Sequence, residues 1–264
     1  MKEIKFIDLT KAPTHIYKYI CTSRVLDMLE KEPHQIGFVS PELWYDPYEI
    51  KYLNTDYTGL NGFRQPLIYC FCARVDLQNE EASWKIYKKD NDPLLRLTIQ
   101  TDIFIPSLLS FAEEKECDVY LAKVNYDLKK SEIDNLYSTS SPHYQEFFQD
   151  FNEEQFIKIM SLKRSAFKYE NEVRFFIIPR NPDKIKDNLQ NNVLNIPIDV
   201  SMIKRITYYP ANKSEESLAS QIEMAKYDAE RKLIRERIFK AYPAANFMKS
   251  ILYNKVHKVD RIEV

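Results

Sequence analysis

The sequence predicts an α+β fold, with mixed, mostly antiparallel central sheets, flanking helices and a long C-terminal helix. Short apolar runs with period-two alternation recur along the chain, and segments with helical spacing lie between them. The two kinds follow no regular strand-helix-strand order, which argues against a repeated βαβ array. At 264 residues, 44% of them hydrophobic, the chain can bury a sizeable core.

The elements are expected in this order. Ile4 to Ile7 and His15 to Ile20 form two strands separated by Pro13. A helix from Thr22 to Glu30 follows, with Val25, Leu26 and Leu29 at helical spacing and Thr22 or Ser23 able to cap it. Gln35 to Ser40 is a strand, and the proline-rich, aromatic stretch Pro41 to Glu49 a structured loop. Pro66 to Ala73 is apolar almost throughout, which suits a central strand covered on both faces. A short helix over Ser83 to Lys89, a strand over Leu94 to Thr101, a helix over Pro106 to Glu116 and a strand over Asp118 to Tyr126 come next. The polar Lys129 to Tyr144 connection is expected to be mobile. A helix over Phe147 to Phe167 and strands at Glu172 to Pro179, Leu194 to Ile198 and Lys204 to Tyr209 complete the main domain, residues 1–212. Residues 213–264 form a helical extension packed on it, with a long charge-laced helix from Lys213 to Tyr242.

Composition removes several functions. The three glycines, Gly37, Gly59 and Gly62, lie in no phosphate-cradling loop, so dinucleotide-fingerprint and P-loop readings fall away. With 38 basic against 39 acidic side chains, attraction to nucleic acid would need a local patch. His15, His34, His143 and His257 are scattered without zinc spacing, so no metal is expected, and Cys70 and Cys72 fit packed thiols. No C-x-x-C pair, signal-like start or membrane-length apolar run occurs, which suits a cytosolic protein with reduced thiols.

Four constellations could carry chemistry. On a strand, Glu170, Glu172 and Arg174 share a face while Val173, Phe175 and Ile177 take the other. Such a set is either a ladder of ion pairs or an oriented carboxylate that holds a sugar hydroxyl and offsets positive charge at an anomeric carbon. Tyr17 and Tyr19 line one face of an early strand with Lys18 on the other, a rail for flat rings and phosphates or simply structural tyrosines. The turn from Ser40 to Glu49 holds Asp46 before Pro47 and can present acids to a pocket or be pinned by Trp44 and Tyr48. Trp84 and Tyr87, three apart, can stack on a ring or pack in the core.

With these motifs in order, the chain resembles the bacterial domain-of-unknown-function family numbered twenty-nine seventy-one. The resemblance rests on Tyr17-Lys18-Tyr19, Ser40 with Tyr45-Asp46-Pro47-Tyr48-Glu49, Cys70-Phe71, Trp84 with Tyr87, and Lys163 with Glu170, Glu172 and Arg174, across about residues 15–210. Two departures stand out: Tyr45 where the family has Asn, and no glycine in the Leu94 to Ile99 strand. The motif order is similar in turn to the ADP-ribosyltransferase superfamily. That resemblance implies an ADP-ribosyltransferase-like fold, with NAD as substrate and a protein or nucleic-acid acceptor. It implies Glu172 as the catalytic carboxylate and Glu170 as the group that positions or activates the acceptor. Tyr17, Lys18, Tyr19, Ser40, Trp84, Tyr87 and Arg174 would bind the dinucleotide.

The leading expectation is therefore a cytosolic transferase of ADP-ribose acting as a toxin or phage-defence effector, with a protein partner or antitoxin on the C-terminal helix and no membrane. Its rivals are a non-catalytic nucleotide-sensing or partner-binding module, and a nuclease built on Asp46, Glu49, Glu170 and Glu172.

Overall fold

The computed structural model describes residues 2–78, 80–87, 92–210 and 218–250. The chain runs through β1 (Lys5–Ile7), β2 (His15–Cys21), α1 (Thr22–Glu30), β3 (Gln35–Val39), α2 (Pro47–Leu53), β4 (Tyr69–Arg74), α3 (Glu80–Ile86), β5 (Leu94–Gln100), α4 (Thr101–Lys115) and β6 (Cys117–Lys123). It continues with α5 (Lys130–Asp134), α6 (Tyr144–Phe148), α7 (Glu153–Ile159), β7 (Glu172–Pro179), β8 (Leu189–Gln190), β9 (Val193–Pro197), β10 (Ile203–Tyr208), α8 (Leu218–Ala241) and β11 (Phe247–Lys249). The class is α+β, as expected, with one mixed and mostly antiparallel sheet of 11 strands.

The main path of the sheet is β1-β6-β7-β4-β2-β5-β10-β11, so β4 is central and covered on both faces. At β4 the sheet forks. β2 meets it through a single register pair, Tyr17 with Arg74, whereas β3 meets it through Val39 with Cys70 and leads on to β9 and β8.

Alternation along each strand feeds two apolar layers. On one face, Phe71, Leu97, Leu121 and Phe175 pack against Val25 and Leu29 of α1, Phe104 and Leu108 of α4, and Ile234 and Ile238 of α8. On the other, Cys70, Tyr120, Phe176 and Ile178 pack against Tyr52 of α2, Phe147 of α6 and Phe156 of α7. Among the described residues no helix is long and apolar enough to cross a membrane.

Several boundaries differ from expectation. The loop over residues 41–49 contains a 3-10 turn at Pro41–Leu43, and Asp46 and Pro47 open α2: the Asp46 carboxylate accepts from the Tyr48 N–H at 3.0 Å, with Pro47 in the first turn. The helix expected over 147–167 is three pieces. Asp150 adopts φ 54°, Asn152 caps a new helix, α7, and the chain re-enters a 3-10 turn at Ser165–Glu170. The connection over 129–144 carries α5 and is pinned by the buried Ile133 and Leu136. The helices expected from Ser83 and Pro106 begin at Glu80 and Thr101, with Pro106 inside α4. The beginning of the helix expected from Lys213, and the end of the one expected over Ser83 to Lys89, lie outside the described residues, as does the chain after Ser250.

Candidate functional site

The polar site grows on the sheet face that carries Phe176 and Cys70, where apolar side chains give way to charged ones. β7 begins with Glu172 and Arg174 on this face, as alternation predicts. Glu170 does not share their strand. It ends the preceding 3-10 turn, and Asn171, at φ 39°, turns the chain so that both carboxylates meet Lys163. Lys163 Nζ stands 2.6 Å from Glu170, 3.3 Å from Glu172 and 4.0 Å from Glu49.

Arg174 closes the cluster from within. Its Nε donates to Glu172 at 3.0 Å, one terminal nitrogen donates to the Met160 carbonyl at 2.6 Å, and the other donates to Glu49 on α2. The Trp44 ring lies 4.4 Å from the guanidinium carbon. With only 1% of its surface exposed, Arg174 orients carboxylates in this geometry. Asp46 is gripped by Arg164 through contacts of 3.2 Å, and Arg164 lies over the Tyr48 ring.

The charges do not cancel. Glu49, Glu170 and Glu172 face Lys163 and Arg174, leaving one carboxylate over. Burial lifts Glu170 to about 7, against the pull of Lys163 and with the repulsion of Glu172. Burial opposes ionisation of Glu172 as well, but Arg174 and Lys163, with hydrogen bonds from Arg174 and Cys72, hold it well below the usual carboxylate range. Lys163 is desolvated, yet Glu172 and Glu49 keep it charged. Burial and the neighbouring cations thus push the two carboxylates in opposite directions, Glu172 down and Glu170 up.

The aromatic residues lie on the same sheet face. Tyr19 meets Trp84 edge-on at 4.9 Å and Tyr87 in a stack at 6.0 Å. Tyr87 is 40% exposed, and its hydroxyl is raised first by burial and then by the charges of Glu170 and Glu172, which joins the rings to the acidic cluster. Trp84 is buried, its Nε1 donating to Glu80 at 2.8 Å. Tyr17 is half-buried with the Arg96 guanidinium 5.8 Å from its ring.

Lys18 and Ser40 are not brought into this group. Lys18 points to the opposite side of β2 and lies over Phe71 at 4.8 Å, its Nζ donating to the Cys72 carbonyl at 2.7 Å across the fork. Ser40 is buried and caps the 3-10 turn at Pro41–Leu43. Residues that sequence reasoning missed include Arg74 and Arg96, separated in the chain and brought to this face by strand register, and Glu80 of α3, which pairs with Arg96.

Next to the start of β7 is a polar cavity of about 760 Å³, lined by Asp76, Tyr126, Tyr169 and Asn171 among others. The Glu172 N–H donates to the Tyr126 hydroxyl at its wall, at 3.2 Å.

No family model matches this chain, and no curated protein matches it. Two solved structures of DarT from Thermus sp. 2.9 are similar. One, in complex with NAD+, is 11% identical, with 92% of this chain and 98% of that chain covered at a TM-score of 0.32. The other, in complex with ADP-ribosylated ssDNA, is also 11% identical, with 95% of this chain and 98% of that chain covered at a TM-score of 0.31.

Proposed function

We propose that the protein transfers ADP-ribose from NAD to a macromolecular acceptor and acts as a bacterial toxin or phage-defence effector. The observation that carries this reading is the geometry of the pair: Glu172 is held by Arg174 and Lys163, and Glu170 stands beside it, 2.6 Å from the same lysine and pushed upward by burial. In such a transfer the bond from ribose C1′ to the nicotinamide nitrogen breaks, and its electron pair neutralises the pyridinium. Positive charge develops on the ribose, and a fixed carboxylate stabilises it without reorganising. The acceptor then bonds to C1′ while Glu170, in its ionised form, takes the acceptor's proton. Tyr87, stacked on Tyr19 and partly exposed, offers a ring face to the nicotinamide.

The test is to incubate the protein with labelled NAD and a cell lysate. The wild type labels an acceptor, and Glu172→Gln lowers the rate by about 10²- to 10³-fold, the range seen when a transition-state stabiliser is removed. Equal labelling by both proteins overturns the reading.

A sensor module is the second reading, favoured by one observation: both Glu172 oxygens already have partners within the protein. It predicts NAD binding by calorimetry without nicotinamide release. The nuclease reading is disfavoured electrostatically, because Lys163 and Arg174 sit among its carboxylates and Asp46 is engaged by Arg164, where a divalent cation would have to compete.

A further inference from the structure

Cys70 and Cys72 point to the face of β4 that carries Glu172 and Arg174, since residues two apart on a strand share a side. Cys72 stands opposite Arg174 in the ladder between β4 and β7, and Cys70 stands opposite Phe176. Both thiols are free, and their sulfurs lie 3.6 Å apart. Cys70 is the packed thiol that alternation suggests, 1% exposed beside Tyr120 and Phe176. Cys72 is only half-buried, and its thiol donates to Glu172. One member of the pair therefore touches the acidic cluster and is partly open to solvent.

The fork in the sheet loosens β4 at this point. On the edge away from β7, β4 meets β3 at Cys70 and β2 at Arg74, so that Cys72 between them has no register partner on that side among the described residues. Its carbonyl accepts instead from Lys18 Nζ at 2.7 Å, a long side chain that can follow a shift of the backbone.

Distance permits a bond between the two sulfurs. A rise of about 3.3 Å per residue sets Cα atoms two apart on a strand at about 6.6 Å, inside the range of about 4.4–6.8 Å that disulfides span. The sulfurs must close by about 1.6 Å to reach the ~2.05 Å of a disulfide, and the β-carbons must draw together with them. That pucker is what the unpaired edge at Cys72 allows.

We propose that Cys70 and Cys72 form a modification site, in which hydrogen peroxide oxidises the pair to an internal disulfide and thereby withdraws the Cys72 thiol from Glu172. In the first step the Cys72 sulfur attacks a peroxide oxygen, the O–O bond breaks, and the thiol proton leaves in water, giving a sulfenic acid. In the second the Cys70 sulfur attacks the Cys72 sulfur, the S–O bond breaks, and the departing hydroxide takes the Cys70 proton to form water. Two thiols give up two electrons and two protons, and one peroxide becomes two waters. Burial pushes the Cys70 thiol up, which slows the second step. The modification stands apart from the transferase reading; its effect on ADP-ribose transfer rests on that reading.

The experiment treats the full chain with hydrogen peroxide, blocks the remaining thiols with iodoacetamide in denaturant and digests with trypsin. Cleavage after Arg64 and Arg74 puts both cysteines in one fragment, residues 65–74, apart from Cys21 and Cys117. The expected product is this fragment two hydrogens lighter and without alkyl groups, returned by dithiothreitol to a fragment with two alkylated thiols. Cys70→Ala should halt at the first step, with Cys72 captured by dimedone as the sulfenic acid; Cys70→Ser serves where the alanine variant fails a circular-dichroism check of folding. In the wild type, peroxide should lower the rate of acceptor labelling several-fold, with recovery in dithiothreitol. A fragment that keeps two alkylatable thiols under peroxide that oxidises free glutathione overturns the site, as does a sulfinic acid or a bond between chains in place of the internal disulfide. A complete internal disulfide with an unchanged labelling rate overturns the withdrawal from Glu172. Reversible formation of the internal disulfide in a protein that never releases nicotinamide from NAD upholds the modification site while the transferase reading fails.

Discussion

Arg174 Nε donates to Glu172 at 3.0 Å although the two are only two positions apart on one strand, and the same guanidinium reaches Glu49 from a helix 125 positions away. Strand alternation accounts for the first contact; the second requires α2 to fold over the start of β7. The relationship makes Arg174 the internal counter-ion of two carboxylates that have almost no access to water.

Removing that counter-ion strands both acids. Arg174→Met is expected to cost about 3–5 kcal/mol, the usual penalty for leaving a buried charge unpaired, read as a lower urea midpoint. Arg174→Lys restores the charge, but a single ammonium cannot serve Glu172, Glu49 and the Met160 carbonyl at once, so it should recover only part of the loss. Wild-type stability in Arg174→Met would contradict the buried network.

Glu170 is the carboxylate left over when Glu49 and Glu172 are balanced by Lys163 and Arg174. Its proton is held in the folded state to about pH 7, above the ordinary glutamate value of 4.5. The stabilisation that this proton represents is complete below pH 4.5 and is lost as pH rises through about 7. Chemical denaturation from pH 5 to 8 should show declining stability in the wild type. Glu170→Gln should flatten that decline and be the more stable protein at pH 8, by at most about 3 kcal/mol. Parallel pH profiles for the two proteins would show that Glu170 does not carry the titration.

If Glu170 takes the acceptor's proton, nicotinamide-releasing transfer should rise with pH through the same region, so that activity grows as stability falls. Lys163 lowers the Glu170 value, and it also helps to hold Glu172 ionised. Lys163→Met removes both influences, and each acid should then hold its proton to higher pH. The expected result is an acidic limb of kcat/KM displaced upward in pH, with a smaller plateau. A limb that stays in place, or moves down, would count against Glu170 as the base.

Much of this arrangement can be read from residue order, and the exceptions have physical causes. Period-two alternation alone puts Glu172 and Arg174 on one face and Val173, Phe175 and Ile177 on the other, and three-residue spacing brings Trp84 and Tyr87 to the same tyrosine. Glu170 meets Glu172 for a reason alternation does not supply, namely the left-handed conformation of Asn171. The break between α6 and α7 did leave a signal, since Asp150 and Asn152 are the residue types that tolerate αL and cap helices, but the run of phenylalanines around them carries the stronger helical period. Likewise the Asp46-Pro47 pair opens α2 and thereby aims Glu49 inward, where a rigid turn was expected. Arg74, Arg96 and Glu80 could not be grouped from spacing, because the arginines are brought together by how β4, β2 and β5 align and Glu80 reaches Arg96 from α3, a tertiary outcome with no local pattern.

Trp84 and Tyr87 separate the structural from the functional share of one motif. Trp84 is 5% exposed and tied through its indole to Glu80, so Trp84→Ala should lower stability by about 3–5 kcal/mol, as expected for an emptied aromatic site. Tyr87 contacts Tyr19 on one side and is 40% exposed, so Tyr87→Ser should leave the urea midpoint within about 1 kcal/mol of wild type. If its free side receives the nicotinamide ring, the same substitution should raise the KM for NAD several-fold, in line with about 0.5–1.5 kcal/mol for an aromatic stack. Tyr87→Phe, which keeps the ring and drops the hydroxyl, should restore that affinity. Failure of the phenylalanine to rescue would assign the effect to the hydroxyl near Glu170 and Glu172, and the ring would then have no part in holding the substrate.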